Sequence, residues 1–582
     1  MPAIVPMILS SLLVGMLLFF IPKHKWRLKS SLALVMSILL FFGALKVFFD
    51  ASSSWLVFFP SSYPQLLHSL GNFLVFQIDG VGSIMVLLLG IMLPILATGV
   101  ITNDWNTGSD DHFYAWFLIS AGLCFAILAA GHLYMLIFLW GLSFIPLYIL
   151  ASGFEENRAA MGKKTLALFG GVHGLMATGA VMVVVLSGTG LLSGIELSTL
   201  TIIDKVAFLA LLSGALVTIG IFPFQSWIID FSEFAPGRIS ALMPVIIQRF
   251  AGLYLFIRLT HDLFMLSESI RVMLFFFFSI TAILSVVISF YESHAGKRLA
   301  FLHIAAGGLA LMAASTGTMA GLMASFVYLL ASGAAIAALF LIIDKDLFHE
   351  NGFSQKILNK KKRLSKNFFD SRGFLFLALA GLPPFGMFAG NVFLFKGLWE
   401  LFDDASLAPV LMLLWLLTAV AAAGGLFAGT LLIRSHFQSN IHANKADSSS
   451  QNLNLTFGIL LFTLLAMFSG LLLFITSLER IAQYFPAEAP GIWDIRHILL
   501  VAVSTLTTLL AGFGIFRLLQ AKWHRLRLIP IHSETPGYTD IYHIVSKLVF
   551  SVNKPLSRMH DGVLQTYLVW VIAAMILLFL LN

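Results

Sequence analysis

Runs of about 20 apolar residues, the length a helix needs to cross the hydrocarbon core of a bilayer, recur along this chain from one end to the other. They fall near 3–21, 30–49, 81–102, 113–131, 133–153, 165–187, 205–222, 240–258, 270–290, 299–316, 320–343, 373–398, 408–433, 454–477, 497–518 and 562–581. In hydrocarbon every backbone N–H and C=O must be satisfied without water, and a lone apolar segment does this as a helix. The pattern therefore predicts an all-α polytopic membrane protein with about 16 transmembrane helices. Composition agrees, since 59% of the 582 residues are hydrophobic and 11% charged, against about a quarter charged in a soluble domain. The mean hydropathy is +0.94.

Two of these runs are interrupted. The stretch from Gly214 to Arg258, GALVTIGIFPFQSWIIDFSEFAPGRISALMPVIIQRFAGLYLFIR, reads as an apolar helix stopped by Pro223. An irregular piece carrying Asp230, Glu233 and Pro236 follows, then a second apolar helix with Gln248 and Arg249 inside it. Ala378 to Glu400, ALAGLPPFGMFAGNVFLFKGLWE, repeats the device with Pro383 and Pro384. A single run of this kind reads equally as a proline kink, because prolines are common in membrane helices. Two of them point to an internally duplicated transporter, whose broken helices expose polar groups to a path at membrane depth.

The net charge of +7 sits in short loops between spans, where basic residues set orientation rather than bind nucleic acid. The first span is followed by Lys23, Lys25, Arg27 and Lys29, so it reads as a retained helix that starts outside, not a cleaved signal peptide. Alternation then places Arg158, Lys163, Lys164, Lys297, Arg298, the KKKR at 360–363 and Arg517 to Arg527 inside. The Lys- and Arg-poor loops around Asp50 to Asp79, Glu400 to Asp404 and Glu488 fall outside, as do both termini. The single cysteine, Cys124, excludes an intrachain disulfide and a cysteine-built metal site. No phosphate loop, dinucleotide glycine fingerprint or zinc motif is present, so neither cofactor, metal nor a catalytic centre of its own is expected. Ile541, Ile544, Val545, Leu548 and Val549 follow helical spacing, which predicts a helix lying along the inner interface.

Several motifs then converge on one family. Asp79–Gly80 before the third span, HLYMLIFLWGLSFIPLYIL (132–150), GALVTIGIFPFQSWI (214–228), SALMPVIIQRFAGLYLFIR (240–258), KRLAFLHIAAGG (297–308) and GLPPFGMFAGN (381–391) carry the likeness. Through them the chain resembles the antiporter-like subunits shared by respiratory complex I, Mrp-type cation antiporters and membrane-bound hydrogenase complexes. The resemblance implies two inverted five-helix repeats, each with a Pro-broken helix. It divides the chain into an N-terminal three-helix region (1–112), a first repeat (113–258), a second repeat (259–433) and C-terminal helices (434–582). It also implies other membrane subunits as partners, protons or monovalent cations as cargo, a bacterial inner-membrane location and a place in a quinone- or hydrogenase-type oxidoreductase complex.

What the resemblance implies for chemistry is a chain of buried charges whose protonation is tipped by neighbours. The family's Trp–Glu pair reads Trp140–Gly141 here, and its seventh- and eighth-span lysines fall on Thr218 and Phe250. The eleventh-span His and Lys fall on Ser332 and Ile336, and the twelfth-span Lys on Asn391. Ionisable groups that remain within the spans are His132, His173, Arg249, His303 and Lys396. Path candidates are therefore His173, His303, Arg249, Lys396, Thr218, Gln248 and Asn391. Arg249 stays charged and must find a carboxylate, carbonyls or water, while for His173 and His303 a neutral ring satisfied by a neighbouring carbonyl is the commoner case than a relay group. Lys396 and Glu400 have i,i+4 spacing and are expected to pair, and Gly141 to permit close helix packing. Two functions compete: a translocating subunit with an altered relay, and a scaffold or coupling subunit such as the membrane partner of an inorganic-carbon uptake complex.

Overall fold

Every apolar run that lies within the described residues is helical. A computed structural model describes residues 3–50, 54–56, 75–101, 112–152, 156–199, 201–292, 294–350, 385–402 and 453–482, with 375, 378, 379 and 381 besides. The spans predicted near 408–433, 497–518 and 562–581, the residues Pro383 and Pro384, and the interfacial segment at 541–549 lie outside them. The helices are α1 (Ile4–Leu17), α2 (Trp26–Phe49), α3 (Gly80–Val100) and α4 (Phe113–Leu128). Then come α5 (Leu133–Ser152), α6 (Glu156–Ser187), α7 (Ile202–Ile219), α8 (Ser226–Phe234) and α9 (Gly237–Leu263). The rest are α10 (Glu268–Tyr291), α11 (Ala295–Ser315), α12 (Met319–Glu350), α13 (Gly386–Phe402) and α14 (Leu453–Ala482). Ten described helices are long and apolar enough to cross a membrane, and the chain is an integral membrane protein. Two small strand pairs depart from the all-helical expectation: Ser54–Leu56 antiparallel to Val75–Gln77, and Leu197–Ser198 parallel to Phe264–Met265.

Burial sorts these helices into a centre and a rim. The spans of α9, α11 and α12 are wholly enclosed by protein, whereas those of α2, α6 and α14 are less than half buried. The rim helices turn Leu39, Val185 and Leu471 outward. In water such exposure would be unfavourable; against lipid tails it is neutral, so the pattern suits a bilayer. The run Phe275–Phe278 obeys the same division, with Phe275 and Phe278 buried three residues apart and Phe276 exposed. At the centre, α12 lies against α9, α11, α13 and α14.

The interrupted span is built differently from the sequence expectation. Helix α7 ends at Ile219, four residues before Pro223, because Gly220 adopts a left-handed conformation (φ 74°). Its N–H returns to the carbonyls of Leu216 and Val217, a helix stop that favours glycine. A Cβ there would also strike Ile228. Pro223 sits in the connecting loop. The piece expected to be irregular is the short helix α8, and Asp230 and Glu233 ride on it. Gly381 is left-handed as well (φ 66°), three residues ahead of the second proline position. Helix α9 widens into π-helical turns at Ala241–Gln248 and Arg258–Leu263. In the first, Pro244 has no N–H to give to the carbonyl of Ser240, which favours a local change of ladder.

Candidate functional site

Helix α9 carries polar groups at three levels. Its length of 27 residues corresponds to roughly 40 Å at 1.5 Å per residue, so Arg249 lies near its middle while Gly237 and Leu263 lie at opposite ends.

At the level nearest Gly237, Lys164 of α6 pairs with Asp230, and Lys297 of α11 pairs with Glu233 at 2.8 Å. The short helix α8 is thus held from both sides, which sequence inspection missed because neither pair is local. Close approach accompanies the second tie: a Cβ on Gly296 would collide with the carbonyl of Ser232. The Lys164–Asp230 pair is largely exposed, and Lys297–Glu233 less so. Solvent-accessible pairs of this kind contribute little singly, and salt screens them.

In the middle, Arg249 is 1% exposed. Its Nη2 donates to Ser332 Oγ at 2.7 Å and to the Tyr328 carbonyl at 3.4 Å, both on α12. Among the described residues, its Nε and Nη1 meet no acceptor. Ser332 in turn donates to the Tyr328 carbonyl. The Tyr328 hydroxyl donates to Asn391 Oδ1 on α13 at 2.7 Å, leaving Asn391 Nδ2 without an acceptor. The structure therefore joins three of the sequence-nominated positions, Arg249, Ser332 and Asn391, through Tyr328, which the sequence did not single out. His303 of α11 is wholly enclosed and interacts electrostatically with Arg249. Neither ring nitrogen has a partner among the described residues, nor does either end of the Gln248 amide.

The remaining candidates stand apart from this group. Thr218 donates to the carbonyls of Gly214 and Ala215 on its own helix and lies so close to Gly252 that a Cβ there would strike its hydroxyl. His173 stacks on Trp140 at 6.1 Å and 11° and meets Phe144 edge-on at 5.7 Å. A Cβ on Gly141 would be 2.6 Å from its Cε1. Gly141 thus serves close packing, and what packs against it is an imidazole. Lys396 pairs with Glu400 at 3.4 Å, as its spacing predicts. His132 stands at the head of α5, where its Nδ1 accepts from the Tyr134 N–H at 3.2 Å. Burial holds its pKa down, which suits the neutral, accepting ring.

At the Leu263 end, Arg258 binds Asp79 with both terminal nitrogens and Asp262 with one of them. Its guanidinium also covers the Tyr254 ring at 4.7 Å. Asp79 caps α3 through the Gly82 N–H at 2.7 Å, which explains the Asp79–Gly80 motif as a helix start docked onto α9. This cluster lines a cavity of about 270 Å³ together with Glu196, His261 and Gln77. The i,i+4 spacing of Arg258 and Asp262, which the sequence reading passed over, is the signal that would have found half of it. Asp79, 179 residues away in sequence, could not be assigned from local spacing.

Residues 130–418 match the family described as NADH:quinone oxidoreductase/Mrp antiporter, transmembrane. The chain is 25% identical over 331 residues to an NAD(P)H-quinone oxidoreductase chain 4 of Synechococcus sp., covering 53% of this chain and 61% of that one. It is 24% identical over 306 residues to a probable inorganic carbon transporter subunit DabB of Hydrogenovibrio crunogenus, covering 51% and 55%. Its fold matches a chain in the structure of the Mrp complex from Dietzia sp. with a TM-score of 0.70 at 17% identity, covering 99% of this chain and 62% of that one. The chain spans about three fifths of the length of the first relatives it matches.

Proposed function

We propose that this chain, which resembles the antiporter-like membrane subunits of complex I and Mrp-type complexes, is one subunit of a multi-subunit complex that moves protons or monovalent cations. The observation that carries the reading is the enclosed polar group at the middle of α9. Gln248, Arg249, His303 and Asn391 all hold polar atoms with no hydrogen-bond partner among the described residues. Buried polar atoms are nearly always satisfied, by water where protein fails. A hydrated interior at membrane depth is what an ion path requires.

The proposal assigns the proton-holding role to His173 and His303. A relay group must visit both protonation states, and a pKa five units from ambient costs roughly 7 kcal/mol to cross at about 1.4 kcal/mol per unit. Arg249 fails this criterion because guanidinium keeps its proton. Thr218, Gln248 and Asn391 orient water without holding charge, and Lys396 is engaged with Glu400. In vesicles containing the complex, His173→Phe with His303→Phe should abolish the flux that depends on this subunit. Unchanged flux in the double variant would remove the histidine path.

The neutral residues at Gly141, Thr218 and Asn391 favour a second reading, in which the chain scaffolds or couples a complex without conducting. A relative named as an inorganic carbon transporter subunit makes such a complex a candidate. Subunits that co-purify with the chain in mild detergent separate the two readings, and a monomer that transports unaided contradicts both. The same proposal includes 16 spans with both termini outside a bacterial inner membrane. It also includes inverted superposition of 113–258 on 259–433, with breaks at Pro223 and at Pro383–Pro384. Labelling of single cysteines placed at each terminus tests the first, and an experimental structure with either span continuous through its proline contradicts the second.

A further inference from the structure

Arg249 is a full positive charge on the enclosed helix α9, and among the described residues no carboxylate bonds it. The groups it bonds or faces lie on α11 and α12. No Asp or Glu occurs at 234–261 or 293–343, the stretches that bring α9, α11 and α12 past it, nor at 80–100 on α3. A partner subunit cannot supply one either, because the spans of α9, α11 and α12 are enclosed by this chain alone. Hydrogen bonds to Ser332 and to the Tyr328 carbonyl occupy Nη2 and leave Nε and Nη1 with none among the described residues.

Dipoles soften such a charge without neutralising it. An ion held in a protein interior with no counter-charge is penalised by several kcal/mol even after relaxation, and Arg cannot escape by losing its proton. Water could fill the open donor positions of Nε and Nη1, but it brings no charge. We propose that Arg249 is the cationic centre of a buried site for a small monovalent anion, of the size and charge of chloride or bicarbonate. The two open guanidinium nitrogens are the donors suited to such a ligand, and the enclosed His303 ring and the Asn391 Nδ2 beyond Tyr328 hold further polar atoms with no partner among the described residues. A divalent anion would overcompensate a single guanidinium, and a bulky one would not enter a packed core.

The test uses the full chain purified in detergent and dialysed into sodium gluconate, whose anion is too large for the site. Thermal unfolding is then followed as chloride, bromide or bicarbonate replaces gluconate at constant sodium. Ligand that binds only the folded state raises the midpoint with concentration, here by a few degrees at saturation. Ser332→Asp places a carboxylate beside Nη2 and should unfold at the raised temperature in every anion; Arg249→Gln should be equally indifferent to the anion. A response to chloride and bromide alone assigns a halide, and a response to bicarbonate alone assigns an oxyanion. Bromide should give an anomalous scattering peak beside the guanidinium. The proposal is overturned if the unaltered chain shows the same midpoint in all four anions, or if Ser332→Asp keeps the full anion response.

Discussion

Two arginines on one helix, nine residues apart, meet opposite fates. Arg258 is surrounded by two carboxylates and an aromatic face; Arg249 has a hydroxyl and a carbonyl. Both side chains are nearly inaccessible, at 5% and 1%. The difference is therefore not burial but the supply of counter-charge. Near a helix end, loops such as the one bearing Asp79 can deliver a carboxylate; at the middle of α9 none of the described residues does. A paired buried charge ties elements together, because deleting one partner strands the other. An unpaired one stabilises nothing in particular and is retained for another reason, which makes it the stronger functional pointer.

The contrast is open to attack by substitution. Arg258→Ala should have the largest effect, about 3–5 kcal/mol of destabilisation, because it strands Asp79 and Asp262; its measure is the loss of monodisperse protein on heating and size exclusion. Arg249→Met should have the opposite sign. In gluconate it should unfold higher than the unaltered chain, by up to about 1–4 kcal/mol, as replacements of buried ions by apolar residues do. A loss comparable to that of Arg258→Ala would mean that Arg249 has a counter-charge after all, and the comparison would collapse. Asp262→Asn leaves the Asp79 contact in place and should cost about 1.5–3 kcal/mol, the value of a hydrogen bond to a charged group. Least affected should be Lys164→Ala, at under about 1 kcal/mol and with no difference in high salt, since that pair is screened by solvent.

What the sequence made legible were the features that local spacing encodes. Helix positions followed from the apolar runs, the interruption at 214–236 from Gly and Pro, and the Lys396–Glu400 pair from i,i+4 geometry. The position of the interruption was legible but its cause was not: proline drew the eye, whereas Gly220 ends the helix by taking a backbone conformation that proline cannot. His132 read only as an ionisable group within a span, and the turn before α5 shows it to be a cap. The centre of the site was legible residue by residue and not as an assembly. The link from Arg249 to Asn391 passes through Tyr328, whose hydroxyl reaches across 63 residues of chain, and no periodicity announces such a meeting. The two ties on α8 are equally non-local.

The packing of His173 onto Gly141 also constrains how this chain can change. In the family it resembles, a glutamate follows the tryptophan; here the first atom of any side chain at that position would arrive 2.6 Å from the imidazole. Restoring the carboxylate alone would therefore force the ring off Trp140 and Phe144, an overpacking penalty of about 1–3 kcal/mol incurred before any benefit of the new charge. Changing His173 alone to a smaller residue would open a void beside Trp140. Each single step is unfavourable while the double change need not be, so the two positions are locked together as a pair. A side chain at position 141 is therefore accessible only together with a change at 173.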